Sequence, residues 1–310
     1  MKDRICTITL NPAVDKRYII NGLEPGSVMR VESCVNSAGG KGLNVARVLN
    51  ILGANITASG IVGGKFGEYI TSELETDGIK NRFFSSNIQT RCCVNLFDKK
   101  TGIQSEFLEP GNELKSEEIK SFWKFFEELI NDFDIISFNG SCLKGFDTDI
   151  YARLINLCKQ KNIFTVLDTS GDLLKEGIVA IPDIAKPNVD EIRQLLGKES
   201  VSEKEVIETG KSYIQKGMKK FVVSLGAEGS IMITKSGVYR AKPDKIHVVN
   251  TVGCGDSMTA GLIYAQTQGM SDTQSLMFAT KAAAANAMQD RTGFIEIKDF
   301  DKIKVIVTKL

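Results

Sequence analysis

The sequence predicts an α/β protein, a three-layer α/β/α arrangement on a mainly parallel sheet, with a small separate β-sheet as a lid. Three observations carry this expectation. Strand-like apolar runs alternate with amphipathic helical runs along most of the chain, which calls for a parallel sheet covered on both faces. Runs such as "FDIISFNG" (133–140) are apolar on both faces, as a strand buried between two helical layers must be. Two regions, 12–36 and 86–110, break the alternation with turn-rich, strand-like text. In one of them "TRCCVNLF" (90–97) alternates in the manner of a sheet with one wet face.

The elements follow in order. "RICTITL" (4–10) reads as a strand. In "GLNVARVLNILGA" (42–54) Val45, Val48, Leu49 and Leu52 share one helical face, and Gly53 ends the helix. "ITASGIVG" (56–63) is a strand, "FGEYITSELETDG" (66–78) a helix, and "FDIISFNG" the buried strand already noted. The helix "DTDIYARLINLCKQKN" (147–162), the strand "IFTVLDTS" (163–170), the strand "IAKPN" (184–188) and the helix "VDEIRQLLG" (189–197) come next. A further helix (205–218), the strand "KFVVSLG" (220–226), a hairpin over 229–243 and two closing helices, 257–268 and 273–289, complete the pattern. The expected division is a core of 1–11, 37–85 and 111–310 and a discontinuous lid of 12–36 and 86–110.

Composition excludes several function classes. The 310 residues carry a formal net charge of +1 with both signs interspersed, so neither nucleic acid nor an anionic membrane is an expected partner. No stretch approaches the roughly 18 apolar residues of a membrane helix, and the opening run is too short for a signal peptide, so a cytoplasmic protein is expected. Seven cysteines without a C-x-x-C pair fit free thiols in a reducing compartment. His247 is the sole histidine, which excludes a His-rich metal site.

Four stretches carry chemistry. In "NTVGCGDSMTAGL" (250–262), Gly253 and Gly255 leave backbone amides unobstructed at the start of an apolar helix, where unpaired donors and the helix dipole attract anions. Two readings stand for Asp256: a helix-capping carboxylate, or a base that takes a proton from a hydroxyl while nearby donors hold a phosphoryl group. "SAGGKGLN" (37–44) opens another helix with paired glycines, Lys41 and Asn44, either an anion or polyol cradle or a loop of tight turns. It is not a P-loop, because Val35 stands where that pattern needs Gly and Gly42 where it needs Ser or Thr. Met258 likewise breaks a G-x-G-x-x-G fingerprint. In "AKPNVDEI" (185–192), Asn188 and Glu191 are spaced either for a capping box or, through Glu191, for holding water around Mg²⁺. "VVSLGAEGS" (222–230) runs a buried strand into Gly226 and Gly229, with Ser224 where ligands gather beyond strand ends, or begins a simple hairpin.

Taken together and in this order, "TLNPAVD", "AGGKGLNVARVL", "DTSG", "KPNVDE", "VSLGAEG" and "NTVGCGDSMTAG" resemble the PfkB (ribokinase-like) family of sugar kinases over nearly the whole chain. The opening motif and "QTRCCVNLF…FLEPG" are closest to its ketohexose-phosphate branch. The resemblance implies a ribokinase-like fold and ATP- and Mg²⁺-dependent phosphorylation of a ketohexose phosphate to the bisphosphate. Fructose 1-phosphate is the first expectation and tagatose 6-phosphate the alternative. Another sugar or nucleoside kinase, or a non-catalytic sugar-phosphate sensor, remains open. It further implies Asp256 as catalytic base with Gly253, Cys254 and Gly255 forming the anion hole. Asp15, Gly39, Gly40, Asn44 and Ser141 are expected at the sugar, and Arg30, Lys41 and Arg91 at the sugar's own phosphate. Lys186, Asn188 and Glu191 are expected on the ATP–Mg²⁺ side, Ser224, Gly226, Gly229 and Thr251 at the nucleotide, and Asn286 near the purine. A homodimer through the lid is a further expectation. Two departures stand out: Cys254 occupies a position usually Ala or Ser, and "NGSCLKG" replaces the common "SGSLP".

Overall fold

The structure is a computed structural model that describes residues 3–310. Its strands are β1 (Arg4–Thr9), β2 (Ala13–Ile20), β3 (Ser33–Gly39), β4 (Asn55–Gly63), β5 (Lys80–Ser86), β6 (Arg91–Asp98), β7 (Ile103–Leu108), β8 (Ile135–Asn139), β9 (Phe164–Asp168), β10 (Ile184–Ala185), β11 (Lys220–Ser224), β12 (Ser230–Thr234), β13 (Gly237–Pro243) and β14 (Val305–Lys309). Its helices are α1 (Lys41–Ile51), α2 (Gly64–Thr76), α3 (Ser116–Leu129), α4 (Ile150–Gln160), α5 (Gly171–Gly177), α6 (Val189–Leu196), α7 (Glu203–Gln215), α8 (Cys254–Thr267), α9 (Asp272–Ala287) and α10 (Ile297–Lys302).

A ten-stranded sheet runs β14-β13-β12-β11-β10-β9-β8-β1-β4-β5. Every neighbouring pair from β11 to β5 is parallel. The three strands at the other end are added antiparallel, as the predicted hairpin requires. The strand period of two explains the layers. Ile5, Ile135 and Val166 point into one apolar cluster with Leu49 of α1 and Leu262 of α8. Their neighbours Cys6, Ile136 and Leu167 point into the other, with Phe126 of α3 and Tyr151 of α4.

The second sheet is four-stranded, ordered β3-β2-β6-β7, and is built from the two regions that broke the helix–strand alternation. Strand β7 is exposed along most of its length, whereas β2 keeps Ala13 and Val14 buried against the core. The chain thus places a half-wet sheet over the carboxyl ends of β1, β8, β9 and β11, the side on which an open parallel sheet gathers ligands. Elements beyond those predicted are α3, α5, α10, β5 and β14. Among the described residues no helix is long and apolar enough to cross a membrane.

Candidate active site

Between the two sheets lies a cleft of about 1750 Å³. A drug-sized ligand pocket is roughly 300–1,000 Å³, so this space suits two ligands side by side. At its centre four charged side chains from four segments converge. Asp168 ends β9 and is fully buried. Its Oδ1 accepts from Lys41 Nζ at 3.1 Å, and its Oδ2 accepts from Thr259 Oγ1 at 2.7 Å and pairs with Lys186 Nζ at 3.3 Å. Burial works against its charge, but Lys186 and Lys41 more than offset this and hold the carboxyl below the usual range. Lys41 also lies 3.8 Å from Glu191 Oε1. Burial opposes its charge too, yet Asp168, Asp256 and Glu191 raise its pKa.

Asp256 sits in the first turn of α8, 6% exposed. Gly253 is the N-cap, and the Asp256 side chain binds no helix amide; its Oδ2 accepts from Asn44 Nδ2 at 2.8 Å. The capping reading therefore does not describe this residue. Burial, reinforced by Asp168 and opposed by Lys41, Asn44 and Lys186, lifts its pKa to about 6. That is where a base acting near neutral pH is wanted. Gly253 has φ +83°, and a Cβ there would stand 2.7 Å from the Gly293 amide nitrogen and 2.9 Å from Thr292 Cγ2. The turn that opens the helix amides to the cleft therefore demands glycine. Gly39 is required for a different reason: a Cβ would fall 1.9 Å from Asp15 Oδ2. Asp15, on β2, lines the cleft with its pKa raised to about 6 by burial, against the pull of Arg91.

The family comparison agrees with this geometry. The model of the pfkB family carbohydrate kinases matches residues 4–297. The chain belongs to that family. It is 37% identical over 302 residues to the tagatose-6-phosphate kinase of Staphylococcus epidermidis, covering 96% of this chain and 97% of that protein. Escherichia coli phosphofructokinase-2, solved in complex with potassium, superposes with a TM-score of 0.90 at 25% identity over 97% of each chain. A possible 1-phosphofructokinase from Thermotoga maritima shares the fold, with a TM-score of 0.87, 23% identity and coverage of 99% and 100%. The chain is thus a carbohydrate kinase, a phosphotransferase, and the ribokinase-like α/β fold with its small second sheet is the one expected.

Most of the residues expected at a kinase site line this one cleft. Asp15, Gly40, Lys41, Asn44, Arg91, Ser141, Lys186, Asn188, Glu191, Ser224, Gly226, Gly229, Thr251, Gly253, Cys254, Gly255 and Asp256 all do so. Some stand differently from their expected roles. Lys41 is engaged with Asp168 and Glu191 in the central charge cluster. Arg91 spends two guanidinium nitrogens on the Glu109 and Asn11 carbonyl oxygens. Arg30 is exposed on the loop between β2 and β3, outside the residues that line the cleft. Asn286 is fully buried beneath the turn: Nδ2 donates to the Val252 carbonyl at 2.8 Å, and Oδ1 accepts from Ser257 Oγ and the Phe294 amide. It braces the Gly253 turn from behind. The Cys254 thiol, 3.5 Å from Asn286 Nδ2, is pushed up to about 11 by burial and stays protonated. Asn188 and Glu191 form the capping box, each side chain bonding the other's amide at 2.8 Å. Glu191 Oε1 is still turned to the cleft side, toward Lys41.

Asp168 and Arg47 escape a reading of the sequence. Asp168 stands in the quoted "DTSG", but its partners Lys186, Thr259 and Lys41 are 18, 91 and 127 residues away, and no local spacing signals them. A metal would find a modest welcome. Among the described residues no group of three or more His, Cys, Asp or Glu side chains could cage an ion. The Glu191 carboxylate, turned to the cleft beside Lys41, fits an ion that arrives on phosphates and keeps most of its water, the usual habit of Mg²⁺.

Proposed function

We propose that this kinase transfers the γ-phosphoryl group of ATP to a ketohexose monophosphate and forms a bisphosphate. The observation that carries the reading is Asp256, a buried carboxylate lifted to about 6 and set in the first turn of a helix whose amides open onto the cleft. In this reading Asp256 takes the proton of the acceptor hydroxyl, and the amides from Gly253 to Asp256 receive the charge that develops on the moving phosphoryl group. Lys41 and Lys186, held by Asp168, offset the remaining negative charge. Glu191 would hold Mg²⁺ through water, and the ion, when bound, would neutralise phosphate oxygens. Ser224, Gly226, Gly229 and Thr251 would lie along the nucleotide, with Asp15, Asn44, Ser141 and Arg91 at the sugar phosphate.

The reading carries two acceptors. The 37% identical staphylococcal relative supports tagatose 6-phosphate. The opening motif and the "QTRCCVNLF" region resemble the ketohexose-phosphate branch as a whole and favour neither sugar over the other; fructose 1-phosphate is the first expectation from sequence. We also propose a homodimer through the small sheet, on the strength of its exposed apolar side chains. Coupled ADP-release assays with both sugars, and with fructose 6-phosphate as control, test the function. The preferred acceptor should show the highest kcat/KM, and Asp256→Asn should lower kcat by about 10²–10⁴-fold with ATP affinity kept. Wild-type turnover in that variant would remove the assignment of the base.

A further inference from the structure

Behind Asp256 runs a chain of buried polar contacts. Arg47, on α1 and 4% exposed, uses its whole guanidinium inside the protein. Nε donates to Asp77 Oδ2 at 3.0 Å, Nη2 to the Ala38 carbonyl at 2.8 Å, and Nη1 to Asn44 Oδ1 at 3.1 Å and the Thr292 carbonyl at 3.4 Å. Asp77, just past the end of α2, is held in turn by Arg291. Burial works against the Asp77 charge, and Arg291 and Arg47 bring its pKa below the usual carboxylate value.

The amide of Asn44 therefore stands between a group that can only donate and a carboxylate oxygen that accepts. An arginine has no acceptor, so its neighbour must be Oδ1, and Nδ2 is left to face Asp256. The reversed amide would set its own donors against Arg47 and its oxygen against the carboxylate. Among the described residues no hydrogen bond engages the other oxygen of Asp256. We propose that Arg47 is a positioning residue for the phosphoryl transfer: it orients the Asn44 amide so that Nδ2 holds Asp256 Oδ2, which leaves Oδ1 directed to the acceptor hydroxyl. The same guanidinium ties the segment before Gly39 and the Thr292 strand of chain beneath Gly253 to one point, so the base and the amides opposite it share one support. The inference rests on the reading of Asp256 as base.

The test uses Arg47→Gln, Arg47→Lys, Asn44→Ala and the Arg47→Gln/Asn44→Ala double variant in the intact kinase, with kcat, both KM values and the pH profile of kcat/KM measured. Lysine keeps a charge opposite Asp77 but cannot serve Asn44, Asp77 and the Ala38 carbonyl together. It keeps the question answerable if glutamine prevents folding. The groups around Asp256 that also set its titration are Lys41, Lys186, Asp168, Cys254 and Asp15, and all remain in place in these variants. The expected result in the Arg47 variants is a fall in kcat of about 10-fold or more with KM values changed little, the mark of an interaction that matters in the transition state. The acid limb should move to higher pH in each variant, because a hydrogen bond to the charged carboxylate is lost. The double variant should be no slower than Asn44→Ala alone, since the arginine acts through the amide. Additive losses in the double variant, or an acid limb that stays in place in Arg47→Lys and Asn44→Ala, would overturn the proposal. An active Asp256→Asn enzyme would instead overturn the reading beneath it, so the two failures are told apart.

Discussion

Asp256 is costly to keep charged where it stands. Its folded pKa of about 6 lies above the ordinary 3.8, so the folded protein takes up this proton at a pH where the unfolded chain has not. Below the ordinary value both states are protonated and the group makes no difference. As pH rises through the interval from 3.8 to about 6 the folded state loses the advantage of holding the proton, and above it the buried charge is a standing destabilisation. Asp256→Asn, which removes the charge and nearly keeps the shape, should therefore unfold at a higher temperature than the parent at pH 7.5, with the gap closing as pH falls toward 4. Thermal unfolding across that range reads the difference. An unchanged or lower melting temperature at pH 7.5 would mean that Lys41, Lys186 and Asn44 already compensate the charge in full. Legibility at this scale was uneven for a physical reason. A carboxylate at a glycine-lined helix start leaves a local trace in "VGCGD", and so does a capping box in "NVDE". Asp168 and Arg47 leave little, because part of what defines them is contact with distant segments, 91 residues on to Thr259 for the one and 245 on to Thr292 for the other. Arg30 shows the converse: a basic residue in a promising stretch that the folded loop turns outward.

The elements are most legible in the sequence where period and punctuation coincide. Helix α1, bounded by Gly40 and Gly53, and the all-buried β8 are such cases. Strand β14 at the end of the chain pairs antiparallel with β13 to form the sheet's edge, and its assignment needs that partner. Helix α3 packs Phe122, Phe126 and Leu129 inward on one amphipathic face, a stripe legible in "SEEIKSFWKFFEEL" yet absent from the expected elements. The element on which the proposed chemistry turns is the entry to α8. Alanine at Gly253 would be held in the left-handed region, at a cost of roughly 1–2 kcal/mol, and its methyl would press on Thr292 and Gly293. Gly253→Ala should accordingly fold with a modestly lower melting temperature but lose on the order of 10²-fold in kcat, as removal of one oxyanion donor does elsewhere. Wild-type kcat with only the thermal loss would show that the turn is structural and the amides take no part in transfer.

At the scale of the molecule the small sheet has two faces to satisfy. One looks over the cleft and reaches the core through Arg17, whose Nη1 pairs with the Asp290 carboxylate. Apolar groups remain exposed on and around this sheet. Among the described residues, seven of the fourteen strongly exposed large apolar side chains lie in or between its strands: Leu23, Val28, Val31, Val35, Ile103, Phe107 and Leu108. Val28 is 98% exposed, and Phe107 and Val35 are each 61% exposed. A monomer seldom leaves so concentrated an apolar surface in water, and a second copy of the same sheet offers a self-complementary cover through a two-fold axis. The proposed dimer should appear in sedimentation as twice the 34.0 kDa chain mass at micromolar concentration. Phe107→Asp combined with Ile103→Asp, two exposed residues on one face of β7 and outside the cleft lining, should return it to the chain mass, because two buried charges per copy would meet their like across the axis. If the lids order each other, the charged variant should also show a raised KM for the sugar phosphate while ATP binding holds. A parent protein that sediments as a monomer, or a doubly charged variant that keeps the doubled mass, would place the contact elsewhere and leave this sheet as a cover for its own cleft alone.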